Sequence, residues 1–270
     1  MAPPPRRNSG AVSGDVSRVV GVPWDTFAQW FGDVWQPGQH MACVGPTGTG
    51  KSTFVVRCLG LRRHVLAIDP KGEDDTLTKS GFERIRTWPP PDRIRKAIAD
   101  GRGARLVVGG GIRTPADWTL LERTVGECLD AVFVEGGWTT FLDELQVSAQ
   151  MMGHSLRIQR NMVAARSKGV SMVTAYQAPS WVPTAASRQS TWLALWGTRD
   201  EAVIKSLAEK AGRPKTEMME LLRNLPEYHV AIIGLRPKDP IVITHPPALD
   251  APAPAGSSPR RQEGPQVRRV

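Results

Sequence analysis

Short apolar segments recur through the middle of the chain, and polar or glycine-containing stretches separate them. Most of these segments are only a few residues long, which is too short for a buried helix and typical of strands covered on both faces of a parallel sheet. The segments predicted as strands are 41–44, 64–72, 105–108, 138–142, 170–177, 191–196, 229–235 and, at a sheet edge, 240–244. With 270 residues the chain is long enough for one full-sized core around such a sheet.

Segments with helical periodicity lie between the predicted strands. Aromatic residues in 24–31 recur at helical spacing, which predicts an amphipathic helix packed on the core, although its tryptophans leave base stacking as an alternative. Thr114, followed by Pro115 and Asp117, is typical of a helix start. We predict helices at 24–31, 51–59, 94–100, 114–134, 148–167 and 201–211. Alternating strands and helices favour an α/β fold with a mostly parallel sheet.

Two segments of biased composition flank this pattern. Residues 1–20 are rich in Pro, Arg and Ser, and residues 246–270 are rich in Ala, Pro, Ser and Arg. Such segments bury too little apolar surface to offset the entropy of ordering them. We therefore expect flexible tails at 1–20 and 246–270 around one folded domain at 21–245.

A glycine-rich loop after the first predicted strand carries the most specific chemical signal. Its residues are Gly45, Pro46, Thr47, Gly48, Thr49, Gly50, Lys51, Ser52 and Thr53. They match the phosphate-binding pattern G-x-x-x-x-G-K-[ST], in which backbone N–H groups surround an anion at a helix N-terminus. We expect Lys51 to reach the β- and γ-phosphates and the Ser52 hydroxyl to bind Mg²⁺. The alternative is a turn that merely joins a strand to a helix.

A pair of carboxylates, Asp143 and Glu144, follows the predicted strand 138–142. Adjacent carboxylates beside a phosphate chain are electrostatically costly unless a metal lies between them, so the pair implies Mg²⁺. We expect Asp143 to hold the metal and Glu144 to polarise the attacking water, as in a Walker B element. Taken alone, the pair is also typical of a strand exit followed by a helix cap.

Polar residues follow two other predicted strands. Residues 69–72 follow one of them, and Gln177 ends the strand 170–177. Ligands of open parallel sheets bind at the carboxyl ends of the strands, so Gln177 is suitably placed to hydrogen-bond the γ-phosphate or the attacking water. Residues 69–72 are equally typical of an ordinary turn.

Charge, cysteine content and hydropathy indicate the setting of this nucleotide site. The formal net charge is +9, and each predicted tail contributes +2, which leaves +5 for the domain. That charge agrees with a polyanion partner and equally with a solvated basic surface. Cys43, Cys58 and Cys128 lie in apolar contexts, which indicates buried thiols in a reducing compartment. Without a secretory signal or an apolar run of ~18 residues, we expect a soluble cytoplasmic protein.

The order of these motifs resembles that of the FtsK–HerA superfamily of DNA-pumping ATPases. The resemblance spans about 24–245, and it is carried by the phosphate loop, Ile-Asp-Pro-Lys-Gly at 68–72, Leu-Asp-Glu at 142–144, Ala-Arg-Ser-Lys-Gly-Val at 165–170 and Ala-Tyr-Gln-Ala-Pro at 175–179. The phosphate loop is common to many NTPases, so the other blocks distinguish the superfamily. The last block departs from the superfamily at two positions, where Tyr176 replaces Thr and Ala178 replaces Arg.

The resemblance implies a three-layer P-loop NTPase fold of the RecA-like, ASCE type, with a mostly parallel central sheet flanked by helices. It also implies ATP and Mg²⁺ as ligands, and a homo-oligomeric ring, usually a hexamer, around double-stranded DNA. By analogy Arg166 is the arginine finger on the neighbouring subunit's nucleotide, Arg188 is the second choice, and Gln177 is the sensor. In size the chain is most similar to viral genome-packaging ATPases, which adds capsid or vertex proteins as partners and the host cytoplasm or the virion as location.

Other functions stay open from the sequence. A plasmid-borne or conjugative DNA translocase would carry the same motifs. A small-molecule kinase would share the phosphate loop but would need an acceptor pocket, and it would have little use for Asp143 and Glu144 together. A nucleotide switch would bind without rapid turnover, which Glu144 argues against. The histidines share no ligand spacing, so no metal other than Mg²⁺ is expected.

Overall fold

The strands form one sheet in the computed structural model, which describes residues 19–72, 75–177, 188–236 and 239–249. Its strands are β1 (Val19–Gly21), β2 (His40–Val44), β3 (His64–Ile68), β4 (Glu83–Ile85), β5 (Ala104–Val108), β6 (Thr139–Leu142), β7 (Ser171–Tyr176), β8 (Ser190–Leu195), β9 (Val230–Gly234) and β10 (Ile241–Thr244). Its α-helices are α1 (Trp24–Val34), α2 (Lys51–Leu59), α3 (Asp75–Lys79), α4 (Asp92–Ala99), α5 (Pro115–Glu135), α6 (Ser155–Val163), α7 (Ala165–Lys168), α8 (Glu201–Ala211) and α9 (Lys215–Asn224). None of these helices is long and apolar enough to cross a membrane.

The sheet is mostly parallel, as predicted. Its strand order is β1-β10-β9-β8-β2-β7-β6-β3-β5-β4. Among the strands described, β9 alone is antiparallel to its neighbours, β8 and β10. The central strand β2 pairs in parallel with β7 on one side and β8 on the other. The loop that follows β2 therefore leaves the sheet near its middle, at the edge where the other parallel strands also end.

Helices cover both faces of the sheet and produce three layers. Along β2, Ala42 and Val44 belong to one apolar cluster and Met41 and Cys43 to another, because successive strand side chains point to opposite faces. The first cluster includes side chains of α4, α5, α6, α8 and α9, and the second includes those of α1, α2 and α3. The predicted three-layer α/β fold is confirmed, and burial on both faces explains the uninterrupted apolar character of the strands.

The aromatic residues of α1 are core residues. Trp24, Phe27 and Phe31 are buried, and the rings of Phe27 and Phe31 stack with centroids 5.1 Å apart. Trp30 lies edge-on to Trp192 at 5.8 Å. The prediction that the aromatic residues of 24–31 pack in the core is therefore confirmed for Trp24, Phe27 and Phe31, which are too buried to stack on a base.

The predicted long helix at 148–167 is wrong, because the chain is interrupted twice there. A π-helical turn spans Val147–Met151, and the chain restarts as α6 and then as α7. Between the turn and α6, Gly153 has a φ of 69°, which a continuous right-handed helix does not contain. His154 is buried at the start of α6, and its Nε2 lies 2.8 Å from the Glu122 carbonyl oxygen.

The ends of the sheet also differ from the sequence prediction. Val19 and Val20, assigned to the N-terminal tail, pair in parallel with Ile241 and Val242. Strand β1 therefore covers β10, which was predicted as an edge strand. Leu249, assigned to the C-terminal tail, packs against the apolar cluster that contains α1. The remainder of both predicted tails, 1–18 and 250–270, lies outside the described residues.

His40 links β2 to β7 and α6 through its imidazole ring. The Met172 N–H donates to Nδ1 at 2.9 Å, so the Nε2 nitrogen carries the proton and donates to the Met162 carbonyl at 2.9 Å. Burial lowers the pKa of His40, and the bond to Met162 opposes that shift only in part. The pKa values of His64 and His154 are also lowered by burial.

We expect the free energy of unfolding to fall as the pH is lowered below 6.5, the ordinary histidine value. The unfolded chain binds protons first in that range, so each such histidine contributes a slope of up to ~1.4 kcal/mol per pH unit. Urea unfolding at pH 7 and pH 5 measures the slope. His40→Gln should have a lower free energy of unfolding than the wild type at both pH values. Its loss of stability between pH 7 and pH 5 should be smaller, and an equal loss would show that His40 does not contribute to the pH dependence.

Candidate functional site

The phosphate loop connects β2 to α2 and is shaped by left-handed glycines. Gly48 has a φ of 79°, and Gly50, which caps the N-terminus of α2, has a φ of 91°. Such angles suit residues without a Cβ atom. The turn places Lys51 and Ser52 in the first turn of α2, where free backbone N–H groups and the helix dipole favour an anion.

Lys51 is held inside this loop. Its Nζ donates hydrogen bonds to the carbonyl oxygens of Gly45 at 2.8 Å and Pro46 at 2.6 Å. Burial lowers the pKa of Lys51, while the carboxylates of Asp143 and Glu144 act in the opposite direction. Asp143 and Glu144 follow β6, which lies two strands from β2, so these carboxylates stand at the same edge of the sheet as Lys51.

The carboxylate pair follows β6 directly. The backbone N–H of Asp143 donates to the Ile68 carbonyl at 3.0 Å, which extends the pairing of β6 with β3. Glu144 has a φ of 58°, an uncommon angle for a side chain of this size. Its Oε1 lies 2.5 Å from Nζ of Lys71, a residue of the polar segment after β3. The structure therefore brings the polar segments after β3 and β6 into contact.

Gln177 reaches the phosphate loop from the adjacent strand. Its Nε2 donates to the Thr47 hydroxyl at 2.9 Å. The contact follows from strand register, because Val44 of β2 pairs with Tyr176 of β7 and the two strands end level with each other. The structure thus brings Gln177 to the loop, and its hydrogen bond to the γ-phosphate or the attacking water stays a prediction.

The two candidate arginine fingers lie away from this loop. Arg166 is an exposed residue of α7, which leads into the amino end of β7. Arg188 stands just before the amino end of β8. Both strands run parallel to β2, so these arginines lie at the opposite edge of the sheet from the loop. Neither arginine is placed to serve the phosphate loop of its own chain.

The donor set at the loop fits Mg²⁺. The Ser52 hydroxyl at the start of α2 and the Asp143 carboxylate at the end of β6 are oxygen ligands of the type that this ion prefers.

The free cysteines Cys43, Cys58 and Cys128 are buried, and burial raises their pKa values, so these thiols stay protonated.

The sequence did not predict the side-chain contacts that hold the segment 69–72 in place. Asp69 is buried, and its Oδ1 accepts a hydrogen bond from the Gly72 N–H at 2.8 Å. Arg84 of β4 lies 3.9 Å from Asp69 Oδ2 and also donates to the Gly109 carbonyl. These contacts join the ends of β3, β4 and β5, and they depend on strand neighbours that no linear motif specifies.

No protein-family model and no curated protein sequence matches the chain. Solved structures do match. The DNA-packaging ATPase B204 from Sulfolobus turreted icosahedral virus has a TM-score of 0.54 and 16% identity, over 79% of this chain and 100% of that chain. The genome-packaging NTPase B204 from Sulfolobus turreted icosahedral virus 2, in complex with AMPPCP, has a TM-score of 0.53 and 15% identity, over 78% and 100%. VirB4 of Thermoanaerobacter pseudethanolicus has a TM-score of 0.52 and 11% identity, over 77% and 89%.

These likenesses establish the fold. The chain has the P-loop NTPase fold of the packaging ATPase and NTPase structures that it matches. The described sheet accounts for the match, since it consists of mostly parallel strands with the phosphate loop at its centre.

We expect Gly109→Ala to destabilise the protein strongly. A Cβ atom at Gly109 would lie 1.6 Å from the Asp69 carbonyl oxygen, so the β3 and β5 exits would have to separate. Gly111→Ala is the matched control, because Gly111 also has a positive φ but no atom within 4 Å of the added carbon. In thermal unfolding the control should lose about 1–2 kcal/mol from backbone strain alone. Gly109→Ala should lose clearly more or fail to fold, and equal losses would contradict the close approach.

Proposed function

We propose that this protein is an ATPase that translocates double-stranded DNA, and specifically one that packages a viral genome. The placement of Lys51, Gln177 and Glu144 at the adjacent ends of β2, β7 and β6 carries the proposal. The fold shared with a viral DNA-packaging ATPase, whose whole chain is covered, supports packaging over plasmid or conjugative transfer. A simple phosphate-binding turn would have no use for the converging carboxylate and amide.

In this proposal the loop binds the triphosphate of ATP. Backbone N–H groups at the N-terminus of α2 and the Lys51 ammonium neutralise the phosphate charge. Ser52 and Asp143 would hold Mg²⁺, which would help to neutralise the phosphate charge. Lys51 exchanges its hydrogen bonds to the Gly45 and Pro46 carbonyls for bonds to phosphate oxygens.

Glu144 then acts as the general base. Its carboxylate accepts a proton from the attacking water, while the Gln177 amide orients that water or the γ-phosphate. The ion pair with Lys71 fixes the direction of the Glu144 side chain, whose backbone already has an uncommon conformation. Thr47, which accepts the Gln177 hydrogen bond, couples this amide to the loop itself.

The positions of Arg166 and Arg188 support a ring in which subunits complete each other's sites. An arginine at the amino edge of the sheet reaches a nucleotide only if that nucleotide belongs to another subunit, and such an arginine stabilises the charge of phosphoryl transfer. We propose a homo-oligomeric ring, with six subunits by analogy, around double-stranded DNA. Capsid or vertex proteins are the proposed docking partners, and the reduced cysteines support the host cytoplasm as its location.

We expect double-stranded DNA to stimulate steady-state ATP hydrolysis at low salt, where phosphate contacts are least screened. Glu144→Gln should bind ATP as the wild type does but hydrolyse it about 10²–10⁴-fold more slowly, because the general base is lost. Lys51→Ala should lose ATP binding itself. Turnover indifferent to DNA would contradict translocation, and wild-type turnover in Glu144→Gln would contradict the base assignment.

We expect Arg166→Ala to lower turnover in the assembled ring with little loss of ATP binding. A mixture of Arg166→Ala with Glu144→Gln subunits should regain roughly a quarter of wild-type turnover, since random mixing places an intact finger beside an intact site at about that frequency. The same assays on Arg188→Ala provide the comparison. If Arg166→Ala hydrolyses ATP normally, the finger is another residue. If the mixture stays inactive, Arg166 does not act in trans.

A further inference from the structure

A cleft of about 390 Å³ opens beside the phosphate loop, and the proposed ATPase function leaves it without a role. Its walls include Pro46 and Thr49 of the loop, Trp196 after β8, and Leu225 and Tyr228 before β9. Arg199, Arg223 and Glu227 lie along the same cleft. Apolar walls with a few polar groups are typical of sites for small organic molecules.

The cleft lies on the opposite side of the loop from the carboxylates. Strand β2 is flanked by β7 and β6 on one side and by β8 and β9 on the other. Glu144 follows β6 and Gln177 follows β7, whereas the cleft residues border β8 and β9. A nucleotide whose γ-phosphate pointed toward Glu144 and Gln177 would have the cleft on the side of its other end.

Tyr228 presents an aromatic ring at this end of the loop. The residue is 48% exposed, and its Cδ1 lies 3.5 Å from the position that a Cβ atom on Gly50 would take. Tyr228 has a φ of 58°, and it shares a positive φ with Glu144 alone among the non-glycine residues described. Such backbone angles concentrate at functional sites. The turn that contains it is closed by a hydrogen bond from His229 N–H to the Pro226 carbonyl at 3.1 Å.

We propose that this cleft binds the base of the nucleotide, with Tyr228 stacked on the heterocycle. The assignment rests on the proposed function, because it requires that the loop hold the triphosphate. A purine ring is flat and has π-faces that stack on aromatic side chains irrespective of its substituents. Trp196 is buried in the wall and supports the cleft by edge contact with Phe54 of α2 at 5.5 Å.

The test compares binding of Mg²⁺-ATP with binding of inorganic triphosphate by isothermal titration calorimetry. Tyr228→Ala should weaken ATP binding by about tenfold, as expected for loss of one stacking contact. Its affinity for triphosphate should match that of the wild type, because the loop is intact. Tyr228→Phe keeps the ring and should recover most of the lost ATP affinity. Lys51→Ala should lose both ligands.

The outcomes separate this inference from the proposed function. If Tyr228→Ala binds ATP as tightly as the wild type, the base subsite is wrong and the phosphate site stands. If it loses ATP and triphosphate to the same extent, Tyr228 supports the loop and does not contact a base. If the wild type binds neither ligand, both the subsite and the ATPase function are wrong. Thermal unfolding of each variant shows whether the fold is retained.

Discussion

The parallel pairing of β2 with β7 and β8 determines which groups lie on either side of the phosphate loop. Val44 pairs with Tyr176 on one side and with Leu195 on the other, so the three strands end at one level. Gln177 consequently meets the loop from one flank and Trp196 from the other. Because β2 is buried on both faces, a shift of one residue would exchange its two core faces, and the packing of both apolar clusters opposes such a shift.

The next pair of strands adds the acidic half of the site by the same means. Ile68 of β3 pairs with Leu142 of β6, which places the segments after them side by side. Lys71 then forms an ion pair with Glu144, and Arg84 of the neighbouring part of the sheet forms one with Asp69. The left-handed backbone at Glu144 is a local cost that persists only because these surrounding contacts hold it.

The sequence predicted the parts of the site whose geometry is local. The phosphate loop is a contiguous motif, and Asp143, Glu144 and Gln177 were located because each directly follows an apolar strand. It also predicted most strands, since strands buried on both faces have a distinctive apolar pattern. The three-layer architecture came from the resemblance to a known superfamily. The interrupted helix after β6 was missed because Gly153 and the contact of His154 with Glu122 override an otherwise helical segment. Arg84 and Tyr228 were missed because their importance arises from residues far away in the chain, which only the strand order brings near.

Strand β7 connects the proposed sensor, Gln177, with the proposed arginine finger, Arg166. Its six residues, Ser171–Tyr176, are buried and span about 20 Å. Residues 171–174 pair with β6, and residues 173–176 pair with β2. Gln177 follows the carboxyl end of this strand, and Arg166 precedes its amino end. If the proposed ring forms with Arg166 as its arginine finger, this one strand would connect the nucleotide of one subunit to the site of the next. Such a connection would let the subunits hydrolyse ATP one after another, in one direction around the ring, with no additional domain to couple them.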